Sequence, residues 1–491
     1  MCEGCVKVAL TEATAGYEIV MMKANVERVI EGDMNAREAQ TLAARLDRIP
    51  FSRFHIRLLA MGGCGYVFDA MDVAIIAFVL PVLRVQWHLR PGQMGLVGAA
   101  AAIGGFAGAF GAGVLGDAIG RRRVMMWALA LYCIATFASA FAADWSHFLF
   151  WRVIAGVGTS AESAIVAPFL VEFAGPSFRG RYIGALASFF SVGFLAAATL
   201  GYFVVPLQSE AWRTALVVTA LPVVMLLWWR RSLPESPRWL ASKGRIREAN
   251  DVVARIERAS GCEWGGSGMP FQDRPSINRS SAEISTYPVG LYSLFSRSLV
   301  RVTFMSLLLW FSLGFAYYAF FTWIPSLLVD KELSVTSSYR YALIMYAAQI
   351  PGYLSAAALN DRIGRRAVIV SYLLLGASSA MWLALASSNV AELWAGSCMS
   401  FFMNGAYAGV YTYTPELFPT EVRATAHGTA LSISRIAAAI SPLAVAYVAP
   451  LYGFFGVFAM SSSVLLAGGI AVLVLGVKTG KRSLEQIVEP H

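Results

Sequence analysis

Stretches of about 20 apolar residues, each long enough to cross ~30 Å of hydrocarbon as a helix, alternate along the chain with short polar connections. The pattern predicts helices over 56–82, 94–116, 123–142, 146–173, 181–204 and 212–230, and again over 299–326, 339–360, 366–386, 390–414, 424–449 and 452–476. The spans divide six and six around a polar segment, 231–298. Its first part, SKGRIREANDVVARIERA, repeats Ile246, Ala249, Val253 and Ile256 at helical spacing, which predicts an amphipathic helix. Its later part, GGSGMPFQDRPSINRSS, is rich in Gly, Ser and Pro and reads as a flexible connector. The predicted layout is a segment 1–55, a six-helix bundle 56–230, the loop 231–298, a second bundle 299–476 and a tail 477–491. The fold class expected is an all-α integral membrane protein of twelve helices.

Composition agrees. Of 491 residues, 57% are hydrophobic and 14% charged, against about 25% charged in soluble domains. The net charge of +9 would suit a nucleic-acid partner, but its placement argues against one. Arg45, Arg48, Arg53 and Arg57 precede the first span, and Arg121, Arg122 and Arg123 follow the second. Arg179 and Arg181 follow the fourth, Arg362, Arg365 and Arg366 the eighth, and Lys478, Lys481 and Arg482 the last. The alternate connections hold few basic residues, chiefly Arg84, Arg90, Lys331 and Arg340. Excess Lys and Arg marks cytoplasmic loops, so both termini are expected inside. Cys64, Cys133 and Cys398 fall within spans, which is no disulfide framework, and Cys2 and Cys5 form a lone C-x-x-C without further ligands nearby. Residues 1–33 hold several Met and no signal-peptide pattern, which leaves a translation start at Met34 as an alternative. No G-x-x-x-x-G-K-[ST] is present, which argues against an ATP-driven pump.

The two sets of spans repeat. GDAIGRRR at 116–123 has a counterpart in NDRIGRRA at 360–367. Asp117 and Asp361, Gly120 and Gly364, Glu172 and Glu416, and Arg179 and Arg423 are all separated by the same interval. Charged motifs on different helices sharing one offset indicate a duplicated six-helix unit, a feature of secondary transporters.

GVLGDAIGRRRVM resembles the loop 2–3 motif of the major facilitator superfamily at Gly113, Leu115, Asp117, Gly120, Arg121 and Arg122. The second copy has Ala357 in place of Gly113. PESPRWL at 234–240, with Glu235 and Arg238, and PELFPTEVRATAHG at 415–428 are similar to the sugar-porter and organic-ion branches. The resemblance spans roughly residues 45–490 and implies transport by alternating access. Charges of Asp117, Arg121, Arg122, Glu172, Arg179, Asp361, Arg365, Arg366, Glu416 and Arg423 flank helix ends, whose partial charges they can complement. They are candidates for a cytoplasmic gate that holds the halves together when closed, or else topology anchors.

Charges inside spans are expensive and by default functional. In GYVFDAMDVAII, Asp72 lies ~24 Å from the start of the first span, and Arg152 on the fourth lies ~22 Å from the same surface. The two are expected to meet as an ion pair, with Asp69 one turn away on the same face. In proton-coupled sugar porters, which the sequence resembles here, the matching Asp and Arg carry proton coupling. The form Asp69-Ala-Met-Asp72 is more similar to aromatic-acid:proton symporters. Histidines fall near span ends, so Asp69 and Asp72, with Glu162 added, are the candidate proton carriers and Arg152 their partner. A purely structural Asp–Arg pair is the alternative.

Arg435 lies ~16 Å into the eleventh span, near the depth of transporter substrate sites. Its fork can hold a carboxylate. Tyr318, Gln349, Tyr407 and Asn404 are further candidate binding residues, and the rings of Tyr317, Phe321, Trp323 and Tyr411 stand near them in sequence. Gly104 and Gly108 of GGFAGAFGAG are read as sites of close helix packing.

The span-five glutamines and span-seven Gln-Gln-Leu-Ser of sugar porters are absent, as is the Gly-Pro pattern of drug antiporters. ARLDRIPFSRFHIRLL, FTWIPSLLV and AQIPGYLSAA resemble niacin-type metabolite:proton symporters. The expected function is uptake of a small aromatic or heterocyclic monocarboxylate, nicotinate-like or hydroxybenzoate-like, with protons. The protein is expected as a monomer in a bacterial cytoplasmic membrane, driven by the proton gradient with no cofactor or metal. Sugar transport, facilitated diffusion and a non-transporting receptor are the alternatives.

Overall fold

A computed structural model describes residues 41–42, 44–175, 178–224, 228–229, 232–261, 291–418 and 422–477. Its principal elements are α1 (Arg53–Gln86), α2 (Pro91–Ile119), α3 (Arg121–Ser139), α4 (Trp145–Val171), α5 (Arg179–Phe203), α6 (Ala211–Thr219), α7 (Pro237–Ser242), α8 (Ile246–Ala259), α9 (Val300–Asp330), α10 (Val335–Ala347), α11 (Gln349–Ile363), α12 (Arg365–Leu385), α13 (Asn389–Glu416) and α14 (Arg423–Leu475). The twelve predicted spans map onto these with three departures. The sixth, predicted over 212–230, is an α-helix only over Ala211–Thr219, with a 3-10 turn at Leu221–Val224 and residues 225–227 outside the described residues. α10 and α11 together make the eighth span, with a break at Ala348. The eleventh and twelfth run as one element, α14, which Gly453 interrupts with a φ of 59°.

Local sequence explains the ends. Pro91 sits at the start of α2, where its missing N–H costs no hydrogen bond. Asp144 caps α4 by accepting from the backbone N–H groups of Ser146 and His147, both at 2.9 Å. The repeated motif turns on glycine in each half: Gly120 joins α2 to α3 at φ 104°, and Gly364 joins α11 to α12 at φ 89°. Side chains rarely adopt that region, so the repeat preserves a backbone requirement as well as charge.

α2 and α4 pack through glycine as expected. A Cβ on Gly104 or Gly108 would run into the carbonyls of Val153 or Val157. The segment α8 also follows its predicted periodicity, burying Ile246, Ala249, Val253 and Ile256. It docks on the first half, where Arg45 donates to both oxygens of Glu257 at 2.9 and 2.6 Å.

The halves meet through α1 with α9, α5 with α10, and α2 with α14. These contacts concentrate at the end opposite the basic motif loops. There Gly95 and Gly98 pack against Pro442, Tyr339 donates to the Phe78 carbonyl, and Arg84 pairs with Asp330. Phe194 of α5 lies 5.4 Å from Tyr317 and 5.9 Å from Phe321, centroid to centroid. At the basic end, the ion pairs between described residues stay within one half.

Candidate functional site

Asp72 and Arg152 meet, as their depths predict. Arg152 donates from Nη1 to Asp72 Oδ1 and from Nη2 to Oδ2, both at 2.9 Å, and from Nη2 to the Asp72 carbonyl at 3.0 Å. Thr136 of α3 donates to Asp72 Oδ1 at 2.8 Å. Both charged side chains are fully buried. The bidentate geometry matches guanidinium to carboxylate, and Thr136 adds a further donor, so the Asp72 charge is compensated where it stands.

Asp69, one turn away, is placed differently. It is buried at 1% exposure, yet its neighbour is a hydroxyl rather than a cation: Ser163 Oγ lies 2.8 Å from Oδ2. Oδ1 has no hydrogen-bond partner among the described residues. The Ser163 hydroxyl also lies 2.9 Å from the Thr159 carbonyl. With one hydrogen and two acceptors in reach, it can donate to a charged Asp69. It can equally turn to Thr159 and accept from a protonated one.

Asp69 lines a narrow cavity of about 30 Å³ between the halves, together with Arg152, Ser163, Phe190, Tyr318 and Arg435. Arg435 is half-buried and forms no ion pair or hydrogen bond among the described residues. Tyr318, Tyr411, Tyr407 and Tyr66 supply the electrostatic surroundings of its guanidinium. Phe190 packs edge-on against Tyr66 at 5.9 Å, and Tyr317 against Tyr318 at 5.6 Å. A cation without an ion pair among the described residues, beside Phe190 and Tyr318, is suited to the carboxylate of a flat anion, with rings at its face; the cavity must widen from this conformation to admit one.

The other sequence candidates divide. Tyr407 stands behind the cavity, 5.6 Å from Tyr317 and 6.3 Å from Trp310. Asn404 turns to its own helix and donates to the Ser400 carbonyl at 3.0 Å. Gln349 is fully buried at the α10–α11 break, and neither amide atom has a partner among the described residues. Glu162 is fully buried beside Gly65 and does not line the cavity.

At the basic end, Arg121 pairs with Glu172, and Ser236 of the PESPRWL segment donates to the same carboxylate. Glu235 accepts from the Arg122 backbone N–H at 3.2 Å, while Arg238 pairs with Asp47 at 2.8 Å. In the second half, Arg365 pairs with Glu416 at 3.3 Å, and Arg366 donates to the Leu473 carbonyl at 2.6 Å. Each motif thus ties helices within its own half in this conformation. Gly113 is exposed with open space beside it. The side chains of Asp117, Arg179, Asp361 and Arg423 lie outside the described residues, as do Met34, Cys2, Cys5 and the basic tail after 477.

Tyr66, Ser163 and Thr136 were not singled out in the sequence. Tyr66 had a signal, standing one turn before Asp69 in the same charged stretch. Ser163 and Thr136 are small polar residues in apolar spans, and only the packing of α1 against α3 and α4 reveals what they touch.

Residues 58–490 match the sequence pattern of the family described as "Sugar (and other) transporter". The chain belongs to that family, within the major facilitator superfamily. It is a multi-pass membrane protein of a transporter family, not an enzyme. It is 36% identical over 447 residues to the "Niacin transporter NiaP" of Acinetobacter baylyi, covering 91% of this chain and 99% of that one. It is likewise 36% identical over 430 residues to the "Putative niacin/nicotinamide transporter NiaP" of Bacillus subtilis, covering 87% and 98%. Its fold is that of the E. coli xylose transporter XylE in a partially occluded inward-open conformation. The TM-score is 0.71 at 17% identity, covering 88% of this chain and 100% of that chain.

Proposed function

We propose that this protein carries a small aromatic or heterocyclic monocarboxylate of the nicotinate kind, together with a proton, by alternating access. The observation that carries the reading is Arg435, an arginine without an ion pair among the described residues, facing a cavity lined by Tyr318 and Phe190. The relatives named for niacin transport, at 36% identity over most of the chain, support it. In this reading both termini and the 231–298 segment face the cytosol, which the excess of Lys and Arg in those loops supports, and the proton gradient of a bacterial cytoplasmic membrane supplies the energy to a monomer.

Electrostatics link anion and proton. A charged Asp69 would share the cavity with the substrate carboxylate. At ~6 Å and an effective dielectric of ~20, that like charge costs about 3 kcal/mol, or ~100-fold in affinity. Neutralising Asp69 removes the penalty and leaves Arg435 free for the substrate, so proton and anion bind best together. Both Asp72 oxygens are already held by Arg152 and Thr136 in this conformation, which favours Asp69, one turn along α1, for the coupling role. Proton and monoanion then cross as a neutral load.

Uptake of labelled nicotinate by proteoliposomes, with and without an inward proton gradient, tests the proposal. Stimulation by the gradient, competition by benzoate and indifference to nicotinamide, which lacks the carboxylate, are expected. Loss of uptake in Arg435→Gln belongs to the same result. Uptake blocked by xylose and not by benzoate would favour the second reading, a sugar carrier, which the family description also admits.

A further inference from the structure

Glu162 is fully buried, and neither of its carboxyl oxygens has a hydrogen-bond partner among the described residues. The backbone of α1 accommodates it: any Cβ at Gly65 would collide with Glu162 Oε1 and would lie 3.2 Å from the Trp229 ring. Tyr132 of α3 packs against Gly158, one turn earlier on α4, and neither its hydroxyl nor Trp229 Nε1 has a partner among the described residues. The titratable groups facing Glu162 are Asp69 and Tyr66 from α1, and Tyr132 and Cys133 from α3. None of them is a cation.

Position matters as much as burial. Gly65 precedes Asp69 by four residues on α1, one turn or ~6 Å nearer the basic end. Glu162 therefore places a second carboxyl below Asp69, on the side to which the transported proton must leave. An isolated carboxylate there costs several kcal/mol, so the group is cheapest with its proton on. A packing residue at this site would do better as Leu or Met, because burying an unpaired acid only destabilises the bundle.

We propose that Glu162 is a second proton-holding site of the transport cycle, between Asp69 and the water at the basic end. In the step, Glu162 gives its proton to that water and becomes a carboxylate. The neutral Asp69 then transfers its proton to Glu162 and becomes charged. One proton has passed from Asp69 on α1 to Glu162 on α4 and one from Glu162 to the water, and the pair again holds one proton and one negative charge. The charge restored at Asp69 repels the substrate anion and promotes its release on the same side.

This rests on the proton-coupled reading above, and two measurements on E162Q proteoliposomes separate the two ideas. Exchange of labelled for unlabelled nicotinate needs no net proton movement, whereas accumulation on a proton gradient does. E162Q is expected to retain exchange and to lose accumulation by an order of magnitude, with substrate-induced proton uptake lost in parallel. If E162Q does not fold, E162D keeps the acid with a shorter reach, and accumulation is expected to fall more than exchange. Wild-type accumulation by either folded variant would overturn the proposal, as would equal loss of exchange and accumulation. Wild-type uptake that ignores the gradient would be a different failure, removing proton coupling and the relay with it.

Discussion

The two halves descend from one six-helix pattern, yet they equip the space between them differently. The first half buries Asp69, Asp72, Arg152 and Glu162 within its own bundle. The second brings Arg435 and Tyr318 to the cavity, with Tyr407 and Tyr317 layered behind. Duplication kept the backbone and the basic-end motifs, including the positive-φ glycines 120 and 364. It did not keep the membrane-depth chemistry. In the proposed reading, proton handling and ligand recognition sit on opposite sides of one cavity. They communicate through the field across it, between Asp69 and Arg435.

Breaking the charge balance of the first half is expected to have the largest effect. Arg152→Met leaves Asp72 buried with Thr136 as its remaining side-chain donor among the described residues, which should cost about 3–5 kcal/mol. Thermal unfolding of the purified protein in detergent measures it, and the double variant Arg152→Met/Asp72→Asn should recover much of the loss. An equally unstable double variant would show that the pair is not the source of the cost.

The second half is probed by ligand rather than by stability. Arg435→Gln should weaken nicotinate binding by about 2–5 kcal/mol, at least ~30-fold in Kd, while unfolding shifts little. Arg435→Lys keeps the charge without the fork and should fall between. Unchanged affinity in the Gln variant would move the anion site elsewhere. Tyr318→Ala removes ring contact worth about 0.5–1.5 kcal/mol, and should raise KM several-fold with less change in maximal rate.

The smallest effect concerns the seam between the halves. Tyr339→Phe deletes the hydrogen bond to the Phe78 carbonyl, worth about 0.5–1.5 kcal/mol. It should shift the population toward opening at that end. Accessibility of a reporter cysteine introduced at Arg84 would rise modestly over the same cysteine in a Tyr339-intact background. No rise would mean that the Gly95–Pro442 packing closes that end without help from Tyr339.

Much of this architecture was legible because the membrane simplifies the code. Span length, basic loops and a repeated charged motif each report a one-dimensional quantity. Depth did the same for Asp72 and Arg152, whose ion pair followed from counting residues along two antiparallel helices. Rotation about a helix axis was not legible. Asp69 and Asp72 differ by one turn, and nothing in GYVFDAMDVAII says that Asp69 faces the cavity between the halves. Asn404 and Gln349 have the right depth and residue type, but one bonds its own helix and the other is sealed at a helix break. In bundles whose helices are apolar on nearly every side, periodicity does not mark the inward face. Small partners such as Ser163 and Thr136 then become visible only by contact.

The central claim is that Asp69, and not its ion-paired neighbour, couples the proton to the anion. The most direct measurement compares accumulation of labelled nicotinate on a proton gradient with nicotinate exchange, in Asp69→Asn proteoliposomes. The account predicts that exchange persists while accumulation above equilibrium disappears. Gradient-driven accumulation at the wild-type level by Asp69→Asn would contradict it.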